Sequence, residues 1–94
     1  MFNGIIYKKG LVTKIFKRPK GINIFVKSNL TLKKSDIGVS VACDGVCLTL
    51  ITIKKNIMEF YLSNETLIRS KFKYIKINEP INLELPLKYG QKIS

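Results

Sequence analysis

The sequence predicts an all-β fold, a closed six-stranded antiparallel barrel with one short helix. Two observations lead to this prediction. Short apolar runs rich in Ile, Val and aromatic residues are separated by turns containing Gly, Pro, Asn and Lys, and few stretches have helical periodicity. A chain of 94 residues with 46% hydrophobic residues suffices for one core and leaves nothing for a second domain. A closed barrel is favoured because closure removes the exposed edges of such a sheet. The alternative architecture is a β-sandwich.

The first two strands are predicted on either side of a turn that contains Pro and Gly. Residues 5–16 mix β-branched and aromatic residues and form the first strand. Residues 17–21, Lys-Arg-Pro-Lys-Gly, form the turn, and residues 22–26 return as the second strand. In a regular strand, the side chains that share one face are those of Val12, Lys14 and Phe16.

The middle of the chain contains the clearest hairpin signal. Residues 40–43 and 46–53 are apolar runs around Asp44-Gly45, a dipeptide that tolerates the positive φ values of a tight turn. Residues 57–62 then form the fifth strand. Before this hairpin, residues 28–38 have a looser pattern, which predicts a loop or a single helical turn.

A short helix and a last strand complete the predicted barrel. Ser63 or Asn64 can cap a helix over residues 65–71, in which the Glu65 carboxylate is favoured by the helix dipole. Residues 81–85 form the final strand, which ends at a proline that cannot donate to a sheet ladder.

Composition excludes several kinds of function. The chain has no His, which rules out Ser-His and Cys-His catalysis and His-metal sites. Its two cysteines, Cys43 and Cys47, cannot complete a tetrahedral zinc site, so we expect reduced thiols and no metal. No apolar run approaches the ~18 residues of a membrane helix, and we expect a cytoplasmic protein without a membrane partner.

The charge of the chain permits nucleic-acid binding, which is the weaker interpretation. The formal net charge is +11, from 17 Lys+Arg against 6 Asp+Glu, and such a domain can neutralise phosphates. Almost all of these cations are lysines, however, and they are scattered along the chain rather than gathered on one segment.

Three motifs identify a family. Residues 1–5, Met-Phe-Asn-Gly-Ile, residues 38–49, Gly-Val-Ser-Val-Ala-Cys-Asp-Gly-Val-Cys-Leu-Thr, and residues 64–70, Asn-Glu-Thr-Leu-Ile-Arg-Ser, occur in this order. In order and spacing the chain resembles the N-terminal half of riboflavin synthases over nearly its whole length. Asn3 stands where that family usually has Thr, and Val39 where it often has Asp.

The resemblance implies a fold and an activity. Members of this family carry two six-stranded Greek-key barrels in one chain and form trimers, so the resemblance implies a six-stranded antiparallel Greek-key barrel here. They convert two molecules of 6,7-dimethyl-8-ribityllumazine into riboflavin and 5-amino-6-ribitylamino-pyrimidinedione, without a cofactor or metal. Their active site lies between the N-terminal barrel of one subunit and the C-terminal barrel of another. Residues 1–86 are then the lumazine-binding barrel, and residues 87–94 begin the inter-barrel linker, with the second barrel absent from this chain.

The same resemblance implies which residues contact lumazine or riboflavin. Gly4, Ile5 and Ile6 line the pocket from the first strand. Phe2 corresponds to an N-terminal residue near the ligand, although an aromatic side chain there could simply plug the end of the barrel. The predicted hairpin contributes Ser40, Cys47 and Thr49, of which Ser40 and Cys47 are also the candidate catalytic residues. The segment at the helix contributes Leu62, Glu65 and Thr66. Structural alternatives remain open: a strand cysteine is usually a small buried hydrophobe, and Glu65 and Thr66 can serve only to cap the helix.

Strand alternation agrees in part with these assignments. If the fourth strand is regular, Cys47, Thr49 and Ile51 share one face. The other face then carries Val46, Leu48 and Leu50. The more polar set can face a ligand while the aliphatic set fills the barrel.

Three functions from different classes remain. The leading hypothesis is the lumazine- and riboflavin-binding half of riboflavin synthase, which binds ligand strongly and turns over weakly or not at all without a second barrel. As an isolated domain it is expected to form a homodimer. The alternatives are a non-catalytic lumazine or flavin carrier and, with less support, a barrel that binds single-stranded nucleic acid.

Overall fold

Six strands make up most of the part that the computed structural model describes, residues 5–86. They are β1 (Ile5–Arg18), β2 (Gly21–Ser28), β3 (Ser40–Cys43), β4 (Val46–Lys54), β5 (Ile57–Ser63) and β6 (Pro80–Pro86). One short helix, α1 (Asn64–Ile68), follows β5, and 3₁₀ turns cover Lys34–Asp36 and Lys71–Tyr74. The predicted all-β fold with one short helix is confirmed. Phe2, Gly4 and the predicted linker, residues 87–94, lie outside the described residues.

The strands form a closed antiparallel barrel in the order β1-β2-β5-β4-β3-β6. Strands β3, β4 and β5 are joined by successive hairpins, and β6 returns to pair with β3, which is a Greek-key arrangement. Strand β1 pairs with β6 along its first half and with β2 along its second half. The long first strand therefore closes the barrel on one side.

Aliphatic side chains from all six strands fill the interior. Three residues from outside the strands also belong to this core, Leu30 and Leu32 from the loop after β2 and Phe72 from the second 3₁₀ turn. The largest side chains that are buried completely or nearly so are those of Phe60, Phe72, Ile24, Leu50, Met58 and Leu62. Within the described residues, no helix is both long and apolar enough to cross a membrane.

A bulge in β1 overturns the predicted facing of its side chains. The register between β1 and β2 shifts between Val12 and Lys14. Val12 is fully buried, whereas Lys14 and Phe16 are exposed, so these three side chains do not share a face. The extra residue at a bulge reverses the alternation beyond it, and Ile15 packs against the core instead.

A second bulge has the same effect in β4. Leu48 and Leu50 point inward as the alternation predicts, but the register with β5 shifts between Leu50 and Thr52. Beyond the shift, Ile53 is buried and Thr52 is exposed. Ile51 lies in the bulge and is half-buried, so the regular strand assumed for Ile51 is interrupted at that residue.

The hairpin turn between β3 and β4 forms as the sequence predicts. Asp44 has a φ of 49° and Gly45 a φ of 86°, both in the left-handed region. Gly reaches this region without steric cost, and Asp tolerates it better than most residues. The turn brings Ser40 opposite Thr49 and Ala42 opposite Cys47 across the two strands.

Helix α1 is shorter than predicted. The expected helix over residues 65–71 ends at Ile68, and Arg69 leaves the helical region as its C-cap. Ser70 is extended, and its hydroxyl accepts a hydrogen bond from the Phe72 N–H at 3.2 Å. This side-chain contact starts a separate 3₁₀ turn, which allows Phe72 to enter the core.

The core also determines the chemistry of Cys43. This residue is fully buried, and burial raises the pKa of its thiol from 9.0 to about 12, with Asp44 and Cys47 acting in the same direction. The folded chain therefore holds the thiol proton more tightly than the unfolded chain does. The stabilising effect of Cys43 is complete below pH 9 and is lost as the pH rises towards about 12.

Replacement of Gly21 by alanine should destabilise the barrel. A Cβ atom at this position would overlap the backbone carbonyl oxygen of Leu62 on the paired strand, and backbone atoms cannot move aside as a side chain can. We expect Gly21→Ala to lower the free energy of unfolding by about 3 kcal/mol in urea denaturation. Ser35→Ala, at an exposed position, is the control and should change it little. Equal stability of the two variants would contradict this account of the β2–β5 contact.

The two cysteines should differ in reactivity. At about pH 8 the exposed Cys47 thiol should react readily with 5,5′-dithiobis(2-nitrobenzoic acid), whereas Cys43 should stay protonated and inaccessible. The absorbance of the released thiolate should report one fast thiol per chain in native protein and two after unfolding. In Cys47→Ser the fast phase should disappear, and its persistence would show that Cys43 is accessible in the folded state.

Candidate functional site

The pairing of β4 with β5 ends before either strand does. Their ladder runs from Leu50 and Phe60 to Lys54 and Ile57. Residues 46–49 pair only with β3 on their other side, and residues 61–63 pair only with β2. We call this stretch, residues 46–49 facing residues 61–63, the β4–β5 break. It interrupts the wall of the barrel at the end where α1 begins.

A row of small polar side chains lies on the outer surface beside the break. Ser40, Cys47 and Thr49 are all exposed. Ser40 is paired with Thr49, and residues directly opposite each other in antiparallel strands project to the same face. Cys47 and Thr49 therefore face outward while Leu48 and Leu50 fill the core, which confirms the predicted division of β4 up to its bulge.

Backbone contacts before Ser40 hold this row in place. The Gly38 N–H donates to the Leu50 carbonyl at 2.8 Å, and the Leu50 N–H donates to the Val39 carbonyl at 2.9 Å. Gly38 has a φ of 101°, a conformation that glycine adopts readily. The strand carrying Ser40 is thereby fixed against the strand carrying Thr49.

The start of α1 forms the other margin of the site. The Ser63 hydroxyl accepts a hydrogen bond from the Thr66 N–H at 3.2 Å and donates to Thr66 Oγ1 at 3.1 Å. Ser63 is thus the N-cap, one of the two capping residues that the sequence offered. Asn64 donates its backbone N–H to the Lys20 carbonyl at 2.8 Å, which ties the helix to the β1–β2 turn.

Glu65 is an exposed residue of α1. Its carboxylate lies 3.3 Å from the Arg69 guanidinium, one helical turn later, and both side chains are mostly exposed. Exposed pairs of this kind contribute little to stability. Arg69, the C-cap of α1, has its carboxylate partner in the helix that it ends, and the Glu65 side chain is accessible from solvent.

The other predicted ligand-contact residues within the described part, Leu62, Ile5 and Ile6, do not belong to the exposed row or to the start of α1. Leu62 is 1% exposed and belongs to the core, so only its backbone lies at the β4–β5 break. Ile6 is half-buried in β1 and packs against the core. The backbone of Ile5 pairs with that of Pro86 in the β1–β6 ladder. The structure thus places the row of Ser40, Cys47 and Thr49, which we call the hairpin row, and the helix start on opposite sides of the β4–β5 break. It places Ile5 and Ile6 on the strand that closes the barrel.

Two residues near the break were not anticipated. Tyr61 is 40% exposed, and its hydroxyl donates to the Lys20 carbonyl at 3.0 Å. The alternation of β5, with Phe60 and Leu62 inside, was the signal that could have found it. The sequence indicates only a turn role for Asp44, yet the Asp44 carboxylate contacts β6 and the second 3₁₀ turn.

A separate groove of about 400 Å³ lies elsewhere on the outer surface. It contains none of the predicted site residues. Its lining residues are Thr13, Lys14, Phe25, Thr52, Lys54, Lys55, Asn56 and Ile57. The Lys14 ammonium lies 5.5 Å from the centre of the Phe25 ring, so one of the groove's cations already contacts an aromatic ring of the same chain.

The chemistry available beside the break is that of neutral hydrogen-bonding groups together with one carboxylate, that of Glu65. Two hydroxyls and a thiol line one margin, and a hydroxyl and a carboxylate line the other. Among residues 5–86, no group of three or more Cys, Asp or Glu side chains is placed to hold a metal ion. Such a surface can orient a polar, uncharged ring through hydrogen bonds.

Comparison with known proteins shows which family this chain resembles. The family model of the lumazine binding domain matches residues 3–86. The riboflavin synthase of Buchnera aphidicola subsp. Baizongia pistaciae is 35% identical over 94 residues, which are 99% of this chain and 44% of that protein. That of Photobacterium phosphoreum is 36% identical over 85 residues, 89% of this chain and 39% of its own length. That of Chlamydia pneumoniae is 35% identical over 94 residues, 99% and 47% respectively.

The chain spans less than half the length of these curated relatives. The family match covers all of the described strands together with the hairpin row and the helix start. The resemblance seen in three motifs is therefore supported across the whole barrel, and the chain belongs to the lumazine-binding domain family.

Proposed function

We propose that this barrel binds 6,7-dimethyl-8-ribityllumazine and riboflavin and forms the substrate-binding half of a riboflavin synthase. The observation that carries the proposal is the outward-facing row of Ser40, Cys47 and Thr49 beside the β4–β5 break. The family match and the relatives named riboflavin synthase support the ligand class.

The proposed complex places the flat ring of the ligand against the outer face of the β3–β4 hairpin. Ser40 and Thr49 offer hydroxyls to its polar atoms, and Cys47 contacts the ring. Glu65 and Thr66 bind the pyrimidine edge from the other side of the break. Hydrogen bonds to a substrate's polar edge give selectivity, because an analogue that lacks a partner leaves buried polar groups unpaired.

Positioning is the main demand of the proposed reaction. One lumazine must lose a proton from a methyl group to a solvent base, and the carbanion formed attacks the ring of a second lumazine. A four-carbon unit then passes from one lumazine to the other, which forms riboflavin, and the donor leaves as 5-amino-6-ribitylamino-pyrimidinedione. Holding two reacting molecules in the correct orientation can account for a large share of rate acceleration. Two ligand-binding barrels must therefore face each other, so the proposed partner is a second barrel, either a copy of this chain or a C-terminal barrel.

Ser40 and Cys47 remain the candidate catalytic residues of this proposal. Within residues 5–86, neither side chain is hydrogen-bonded to a carboxylate that would act as a general base. In this proposal both residues act catalytically by contacting and orienting the substrate ring rather than by removing its proton, with no cofactor or metal required. Binding should be strong in the isolated barrel and turnover weak until a second barrel is present.

Loss of the Thr49 hydroxyl should weaken lumazine binding. A single hydrogen bond is worth about 1 kcal/mol, so we expect Thr49→Ala to raise the Kd about fivefold to tenfold. The measurement is a fluorescence titration of the purified chain with 6,7-dimethyl-8-ribityllumazine. Thr31→Ala, at an exposed position in the loop after β2, is the matched control and should bind as the wild type does. Equal affinity of the two variants would place the ligand away from the hairpin row.

Formation of riboflavin should depend on a second barrel. The same titration, followed by riboflavin absorbance and combined with light scattering, reports turnover and oligomeric state together. We expect a C-terminal barrel from a riboflavin synthase to raise turnover well above that of this chain alone. Tight binding with no riboflavin in either case would favour a lumazine or flavin carrier, and equal turnover in both cases would contradict the need for a second barrel.

A further inference from the structure

Asp44 connects the tip of the β3–β4 hairpin to β6. Its backbone N–H donates to the Asn82 carbonyl at 2.8 Å, and its carboxylate Oδ1 accepts from the Asn82 N–H, also at 2.8 Å. The Asp44 side chain is only 8% exposed. These reciprocal hydrogen bonds continue the short β3–β6 ladder by one further position.

The second oxygen of the same carboxylate reaches a different part of the chain. Asp44 Oδ2 lies 3.3 Å from the Lys71 ammonium. Lys71 is the first residue of the 3₁₀ turn that follows α1, and Phe72 anchors that turn in the core. One carboxylate therefore contacts both β6 and the segment that supports the helix.

These two segments carry the two margins of the proposed ligand site. The hairpin whose turn contains Asp44 presents Ser40, Cys47 and Thr49. The segment that continues into Lys71 presents Glu65 and Thr66 on α1, and α1 packs against the 3₁₀ turn. Across the β4–β5 break the two margins share no strand pairing, so the Asp44–Lys71 contact joins them where the sheet does not.

We propose that Asp44 and Lys71 are a positioning pair that fixes the separation between the hairpin margin and the helix margin of the ligand site. The proposal rests on the proposed lumazine-binding function. Neither side chain needs to touch the ligand. The pair acts by holding the hydroxyl row of the hairpin at the distance from α1 that one ligand ring requires.

A purely structural role for Asp44 makes a different prediction. If the carboxylate only stabilised the hairpin turn, its loss would lower stability and leave the affinity of the folded protein unchanged. Asn at position 44 separates the two roles, because an amide oxygen can still accept the Asn82 N–H and Asn also tolerates positive φ. Asp44→Asn removes only the charge that attracts Lys71.

The test measures the Kd for 6,7-dimethyl-8-ribityllumazine in folded variants. We expect Asp44→Asn and Lys71→Met each to weaken binding about fivefold, and the double variant to be no weaker than either, because both changes break one interaction. The single variant Lys71→Arg, which keeps the positive charge, should bind with near-wild-type affinity. Lys73→Met, an exposed lysine two residues later on the same turn, is the control and should have no effect.

For each variant, the Tm and the rates of amide hydrogen exchange are measured alongside the Kd. We expect Asp44→Asn to change the Tm little and to speed exchange in the stretches of the β4–β5 break and in α1. Wild-type affinity in a folded Asp44→Asn variant, or additive losses in the double variant, would overturn the positioning role while leaving lumazine binding intact. Failure of the wild-type chain to bind lumazine would instead overturn the proposed function, and this inference with it.

Discussion

Closure of the barrel between β3 and β6 depends on two residue pairs, Ala42 with Glu84 and Cys43 with Leu83. Every other pair of neighbouring strands in the barrel shares a longer ladder. The hydrogen bonds between Asp44 and Asn82 reinforce this seam, and the buried side chains of Cys43 and Leu83 lie directly behind it. The position of the β3–β4 hairpin, and hence of Ser40, Cys47 and Thr49 on its outer face, depends on this pairing of β3 with β6.

Carboxylates act as structural anchors in this lysine-rich chain. Among residues 5–86, five of the six acidic side chains make a hydrogen bond or an ion pair with another described residue. Asp36 and Glu79 accept backbone N–H groups at the starts of turns, and Glu59 accepts from Asn23 and Thr52 on the neighbouring strands. Most lysine ammonium groups therefore have no carboxylate partner in the described part. The excess positive charge is spread over the surface, as its distribution along the sequence indicated.

The sequence was most informative where local physics decides the structure. The Asp44-Gly45 turn follows from the positive φ that a two-residue hairpin requires, and the facing of Cys47 and Thr49 follows from strand alternation. The bulges in β1 and β4 could not be predicted in this way. A bulged strand and a regular one contain the same kinds of residues, and only the partner strand determines where the extra residue is placed.

The long-range contacts of the site were also beyond local reasoning. Nothing near Asp44 in the sequence indicates that its carboxylate meets Lys71 and Asn82, because those contacts exist only after the barrel has closed. The early end of α1 could be predicted only in part from the local sequence. Ser70 is a recognisable capping residue. Whether the helix continues through Ser70 or a new turn starts there, however, depends on the burial of Phe72 in the core.

The pairing of β1 with β6 has a consequence for how the protein folds. Ile5 is paired with Pro86, so the first described strand finds its partner only at the far end of the barrel sequence. During synthesis, β1 has one edge without its native neighbour until β6 leaves the ribosome. Contacts of such high sequence separation make folding slow relative to chains dominated by local contacts. The interval before closure is therefore the period in which this chain is most exposed to edge-to-edge aggregation and to chaperone binding.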